Sequence, residues 1–148
     1  KLLTQKFGGC HLEITARGNF SNKIKEKVQR GRELIFYFLD KDRPDLTGFI
    51  EERDSYKFTY FIVVEIKDEK INLGDVYQIR RYADLFNAKY AFLISTKPVP
   101  HEIMRLNTII PSLLTGGYGY EKIRLAQFDS TKNEFVEWHE KNPFEELK

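Results

Sequence analysis

Cysteine occurs once in the 148 residues, at Cys10. The chain can therefore close no disulfide on itself and build no cysteine-rich zinc site, which fits a reducing compartment. No apolar run approaches the ~20 residues that a membrane-spanning helix requires, and no secretory signal pattern opens the chain. The expectation is a soluble, intracellular and cytoplasmic protein with no membrane partner. The chain opens on Lys1 in place of Met, which leaves room for a leader or a further domain upstream. Histidine is scarce too. His11, His101 and His139 stand far apart without metal-ligand spacing, and no His-based mechanism is favoured. An excess of one charge is also missing, since 24 basic residues face 22 acidic ones, a net charge of +2. Residues 1 to 50 carry ten basic and six acidic groups, and residues 101 to 148 carry six and eight. A positive front half suits a polyanion, although a dedicated nucleic-acid binder is usually more basic and a solvated mixed surface has the same composition.

What is present is enough for a packed core. Hydrophobic residues make up 41% and aromatics 14%, too apolar for a disordered chain, and the length suits one domain over 1–148. No repeat, low-complexity tract or Pro/Gly/Ser linker divides it. His11 to Ala16 alternates as a short strand, and Ser21 caps a helix to about Gln29, with Ile24 and Val28 on one side and Gly31 as a stop. Glu33 to Asp40 (ELIFYFLD) reads as a strand, Lys41 to Pro44 as a turn, and Asp45 to Glu51 as a second strand. Tyr56 to Lys67 is apolar on both faces through its middle, the mark of a central, doubly covered strand. Gly74 and Asp75 open a helix with the stripe Val76, Ile79, Ala83 and Phe86, and Asp75 and Gln78 have capping-box spacing. Tyr90 to Thr96 is a buried strand joined through that helix by a right-handed parallel crossover. His101 to Ile110 forms a further helix, and Ile123 to Phe128 with Glu134 to Trp138 a hairpin.

The chemistry gathers on spaced charges. Asp45 starts one strand, and Glu65 and Lys67 lie near the end of the next, 65 − 45 = 20 residues on. Alternation puts Glu65 and Lys67 on one face with Phe61 and Val63, and Ile62, Val64 and Ile66 on the other. If the register sets Asp45 opposite Glu65, two carboxylates converge on a point suited to Mg²⁺, with Mn²⁺ as a substitute, and the backbone carbonyl of Ile66 as a third ligand. Such an ion lowers the pKa of bound water and neutralises charge on a phosphate oxygen, which phosphodiester hydrolysis needs. Lys67 beside it is placed to orient that water.

These residues carry a family resemblance. RPDLTG at Arg43 to Gly48 and VVEIK at Val63 to Lys67 resemble the PD-(D/E)XK nuclease superfamily, over roughly residues 21 to 96, with a C-terminal extension over 97–148. The resemblance implies an α/β, restriction-endonuclease-like αβββαβ core with a mixed central sheet flanked by helices, here followed by a helix and a β-hairpin. It implies a hydrolase, a Mg²⁺-dependent DNA endonuclease or related nuclease, with Asp45, Glu65 and Lys67 as the catalytic set. Gln78 with Tyr82 is similar to the Q-x-x-x-Y element of RecB-like members, which lies close to DNA or the active site. Some relatives place a metal-binding Glu on the first helix, for which Glu26 is the weak candidate and Glu13 and Glu33 are no better. The capping box with Asp75 is a competing account of Gln78.

Arg43, Arg80 and Arg81, with Lys23, Lys25 and Lys27, are candidates for phosphate contacts, although charged helix faces are usually only solvated. The aromatics of 36–38 and 58–61 read as core rather than as base-stacking platforms. The glycine-rich TGGYGY at Thr115 to Tyr120 lacks the ending of a phosphate loop and reads as a flexible loop able to touch DNA or a partner. Duplex cutting usually needs two sites, so a homodimer is expected, with the C-terminal hairpin and Leu113-Leu114 as contacts. The alternative is a catalytically inactive nuclease-fold module for DNA binding or protein assembly, which predicts no divalent-metal binding.

Overall fold

The computed structural model describes residues 1–52, 58–120, 123–139 and 141–145, and only the main chain of Tyr120. The expected strand start at Tyr56 lies outside the described residues. In chain order the elements are α1 (Leu2–Lys6), β1 (His11–Ile14), α2 (Asn22–Lys27), α3 (Ile35–Phe38), β2 (Leu46–Glu51), β3 (Thr59–Lys67), α4 (Leu73–Phe86), β4 (Tyr90–Ser95), α5 (His101–Ile109), a 3₁₀ turn at Tyr118–Tyr120, β5 (Arg124–Asp129) and β6 (Glu134–Trp138). The six strands form one mixed sheet in the order β1-β2-β3-β4-β5-β6. β3, β4 and β5 run parallel, and β1-β2, β2-β3 and β5-β6 pair antiparallel. Among the described residues no helix is long and apolar enough to cross a membrane.

The sheet is covered on both faces, as the central apolar run requires. On one face Phe61, Val63, Leu93 and Leu125 meet the α4 stripe Val76, Ile79, Ala83 and Phe86, with Ile24 of α2 and Ile35 and Leu39 of the α3 segment. On the other, Ile62, Val64, Phe92 and Ile94 pack on Leu3 of α1 and Phe144. This split is the alternation read from the sequence. Ser21 caps α2 by accepting the Ile24 N–H at 3.2 Å.

Four expectations are corrected. Glu33 to Asp40 is no strand, and holds the short helix α3 instead. Ile35 and Leu39 are buried while Tyr37 (77% exposed) and Phe38 (61%) face solvent, the four-residue spacing of a helix rather than the alternation of a strand. Burial on a helical stripe has overridden the aromatic β-propensity of the segment. The place beside β2 is filled by β1, from before the helices, so the order helix, three strands, helix, strand is not followed. The capping box of α4 joins Asn72 and Asp75, not Asp75 and Gln78. Leu113 and Leu114 are buried in the core and present no surface to a second copy.

Gly48 shows how closely β1 and β2 approach. A Cβ there would run into the His11 carbonyl oxygen and stand 2.9 Å from the Leu12 Cα, backbone atoms that cannot swing aside. Gly48→Ala is expected to destabilise the fold by about 3 kcal/mol, the upper part of the overpacking range. Urea unfolding checks this, and a midpoint equal to wild type would refute it.

Candidate active site

The β2–β3 register pairs Leu46 with Val64 and Thr47 with Val63, so residue 45, one step before β2, stands across from residue 65. Both carboxylates come to the end of the sheet where β3 and β4 finish. Asp45 is held there from two sides. Its Oδ2 accepts the Ile66 N–H at 2.7 Å. Its carbonyl accepts the Thr15 N–H at 2.9 Å and the Ala16 N–H at 3.3 Å. The buried Thr15 hydroxyl donates to the Pro44 carbonyl at 2.7 Å and lies 2.8 Å from the Thr47 hydroxyl. Thr15 has one hydroxyl proton to give, so Thr47 is the donor of that second bond. The chain just past β1 thus clamps the Pro44-Asp45 turn.

Glu65 is 5% exposed. One oxygen, Oε1, lies 3.2 Å from the Lys67 ammonium. The other, Oε2, is buried and accepts no hydrogen bond. Burial pushes the Glu65 carboxyl above the usual carboxylate range, the Asp45 charge pushes the same way, and Lys67 opposes them. Lys67 is gripped by three acceptors. Besides Glu65 it reaches Asp75 Oδ1 at 3.4 Å and donates to Gln78 Oε1 at 3.3 Å. Burial works against its charge, but Glu65 and Asp75 outweigh it and raise its pKa.

The helix α4 supplies the other wall. Gln78 Nε2 donates to Asp42 Oδ1 at 3.3 Å and to the Tyr82 hydroxyl at 3.2 Å. Asp42 is also the acceptor for the Tyr82 hydroxyl and for Arg81. An ionised carboxylate can only accept, so Asp42 fixes which way the Gln78 amide faces and turns its oxygen toward Lys67. Burial disfavours the Asp42 charge, yet the bonds from Tyr82, Arg81 and Gln78 together hold its pKa below the usual value. Burial, then the bond to Asp42, pushes the Tyr82 phenol up. With the capping box at Asn72 and Asp75, the competing account of Gln78 falls away. Asp42 was not singled out from the sequence. It sits in the polar turn before Pro44-Asp45, and nothing local distinguishes a turn aspartate that reaches 40 residues along to a tyrosine.

Asp45, Glu65, Lys67, Gln78 and Tyr82 are therefore brought together. Lys67 C=O accepts the Thr96 N–H beside β4, and strand alternation then turns the Ile66 N–H and C=O to the Asp45 side. Arg81 is occupied by Asp42, and the half-buried Arg80 lies by the Tyr77 ring. Arg43 is half-buried and its buried Nε donates to no partner. Glu26 is exposed on α2, and Glu13 is bonded to Ser21 and His11. Neither reaches Asp45 or Glu65 by a hydrogen bond. Among the described residues no group of three or more His, Cys, Asp or Glu is arranged to hold a metal ion. The set here is two carboxylates, one with an unpartnered buried oxygen. That suits a hard cation that keeps several waters, and a buried carboxylate oxygen without a donor calls for a positive partner.

Comparison of the chain with family models, curated proteins and solved structures returned no match.

Proposed function

We propose that the protein is a Mg²⁺-dependent deoxyribonuclease of the PD-(D/E)XK type, hydrolysing DNA phosphodiester bonds at Asp45, Glu65 and Lys67. The observation that carries this reading is the buried, unpartnered Oε2 of Glu65 directly across the register from Asp45. Two carboxylates forced together in a site that a solvated ion pair would not need are explained by a cation between them. Asp45, Glu65 and the Ile66 carbonyl would hold Mg²⁺ or Mn²⁺, which when bound supplies an activated water and charge neutralisation at the phosphate.

The chain's own residues do the rest. Asp45 is fixed by the Ile66 N–H and by Thr15, so its carboxylate needs little reorganisation. Lys67 keeps its proton at neutral pH and offers it as a hydrogen bond to the attacking oxygen or to charge growing on the phosphate. Gln78, turned by Asp42, limits where that ammonium can swing. Arg43 and Arg80 remain the candidates for phosphate contact, with Arg81 committed to Asp42.

The test is cleavage of supercoiled, single-stranded, flapped and four-way-junction DNA with Mg²⁺ or Mn²⁺, against EDTA and Asp45→Ala. Metal-dependent cutting lost in the variant supports the nuclease, and the preferred substrate names its class. Intact substrates, together with a folded protein whose melting temperature ignores both metals, would replace it with the non-catalytic binding module.

A further inference from the structure

A cavity lies at the end of the sheet away from Asp45 and Glu65. It encloses about 300 Å³ beside the start of β3, the ends of α2 and α4 and the glycine-rich segment. From Tyr60 to Lys67 is seven residues, roughly 20 Å along the strand, so this is not the site of Asp45 and Glu65. The eleven described residues that line it include five aromatics, two side-chain amides and two cations, and no carboxylate is among them. Phe58 (53% exposed) and Tyr118 (40%) keep ring surface open to solvent. That reverses the expectation that Phe58 is core, and it gives Tyr118 of TGGYGY a place.

The rings are braced. Phe58 and Tyr60 are stacked at 6.3 Å with 13° between their planes, and Tyr60 meets Tyr118 edge-on at 5.5 Å. Lys89 Nζ stands 4.1 Å above the Tyr60 ring. Arg32 is also held, donating to the Leu85 carbonyl at 2.6 Å and the Asp84 carbonyl at 3.3 Å. Its charge is thus fixed at the end of α4 beside the cavity. Lys27, the second cation, is shared with Glu51. The size falls at the lower edge of small-ligand pockets. Aromatic faces bind planar rings, amides such as Gln29 and Asn87 read ring edges, and guanidinium and ammonium groups bind phosphate.

We infer that this cavity binds a nucleotide, an aromatic base carrying an anionic phosphate, either free or as an unpaired base of a strand. The inference does not rest on the nuclease reading, because its readout is equilibrium binding without divalent metal. The experiment is isothermal titration calorimetry in EDTA at low salt with AMP and with a short oligothymidylate. The proteins are wild type, Phe58→Ala/Tyr118→Ala and, as a control at an exposed position outside both sites, Ile109→Ala. The wild type is expected to bind, the double variant to lose about tenfold or more in affinity, and Ile109→Ala to bind as wild type. Binding of AMP identifies a free-nucleotide site, and binding of the oligonucleotide alone a strand site. No binding of either probe, a double variant that binds as tightly as wild type, or an equal loss in Ile109→Ala each overturns the inference. If the double variant melts early, Tyr118→Leu, which keeps volume but not the ring, stands in for it under the same criteria.

Discussion

Glu65→Gln is expected to melt at a higher temperature than wild type at pH 7 while losing DNA cleavage by at least about 10²–10³-fold, the scale for removing one charge-stabilising group. The two effects share a cause. Glu65 is buried against Asp45 with one oxygen unpartnered, and its pKa is raised in the fold. A carboxyl whose folded pKa lies above its unfolded value of ~4.3 favours the folded state while protonated. That stability is fully present below the unfolded value and is lost as pH rises through the folded one. The further pH rises through that folded value, the more of the wild type carries a buried charge that Gln, of the same shape, does not. The gain should be on the order of 1 kcal/mol, or roughly 2–4 °C in a domain of this length, and should shrink at pH 4. Mg²⁺ should reverse the ranking. At a hundred times its Kd a ligand adds about 2.7 kcal/mol to the protein that binds it, and at the proposed Mg²⁺ site the variant has one charged oxygen fewer to offer. Thermal melts at pH 4 and pH 7, with and without Mg²⁺, check all of this. A variant less stable than wild type at pH 7 in EDTA would refute the account of Glu65.

Much of this site could be read from the sequence because strand geometry is strict. Once Val63 to Lys67 is a strand, Glu65 and Lys67 must share a face, whereas the register that sets Asp45 opposite Glu65 is given by the β2–β3 pairing in the structure. The stripe of α4 and the alternation of β3 follow from the same periods, and both are seen in the two core clusters. What failed was local. ELIFYFLD has strand composition, and only the tertiary burial of Ile35 and Leu39 four residues apart makes it helical. The capping box was misplaced by three residues because Asn72 and Asp75 satisfy the same rule as Asp75 and Gln78, and the winner is decided by where the chain leaves β3. The role of Asp42 was illegible for a different reason. Its partners are 36, 39 and 40 residues away, and a polar turn carries no mark of what it will face.

Lys67→Met is expected to destabilise the protein by about 3 kcal/mol, the low end for breaking a buried charge pair by removing one partner. Met fills the volume of the aliphatic stem, so the loss is that of the ammonium alone. Without it Glu65 Oε1, Asp75 Oδ1 and Gln78 Oε1 face one another with no donor between them, and Glu65 already leaves Oε2 unpartnered. Cleavage should fall with it, since no other ammonium reaches that point among the described residues. The loss of stability alone would follow from any half-buried, paired lysine, so the distinguishing measurement is a double-mutant cycle with Glu65→Gln. If the charge stranded on Glu65 is what Lys67 offsets, Glu65→Gln should recover most of the stability in the Lys67→Met background, a coupling of about 1–3 kcal/mol. Urea midpoints of the four proteins in EDTA give the number. Additive effects of the two substitutions would mean that Lys67 is held for Asp75 and Gln78, and that the orphaned carboxylate is stabilised by water instead. Coupling with recovered stability but no recovered cleavage would place both charges in one unit that the fold tolerates only because the reaction needs it.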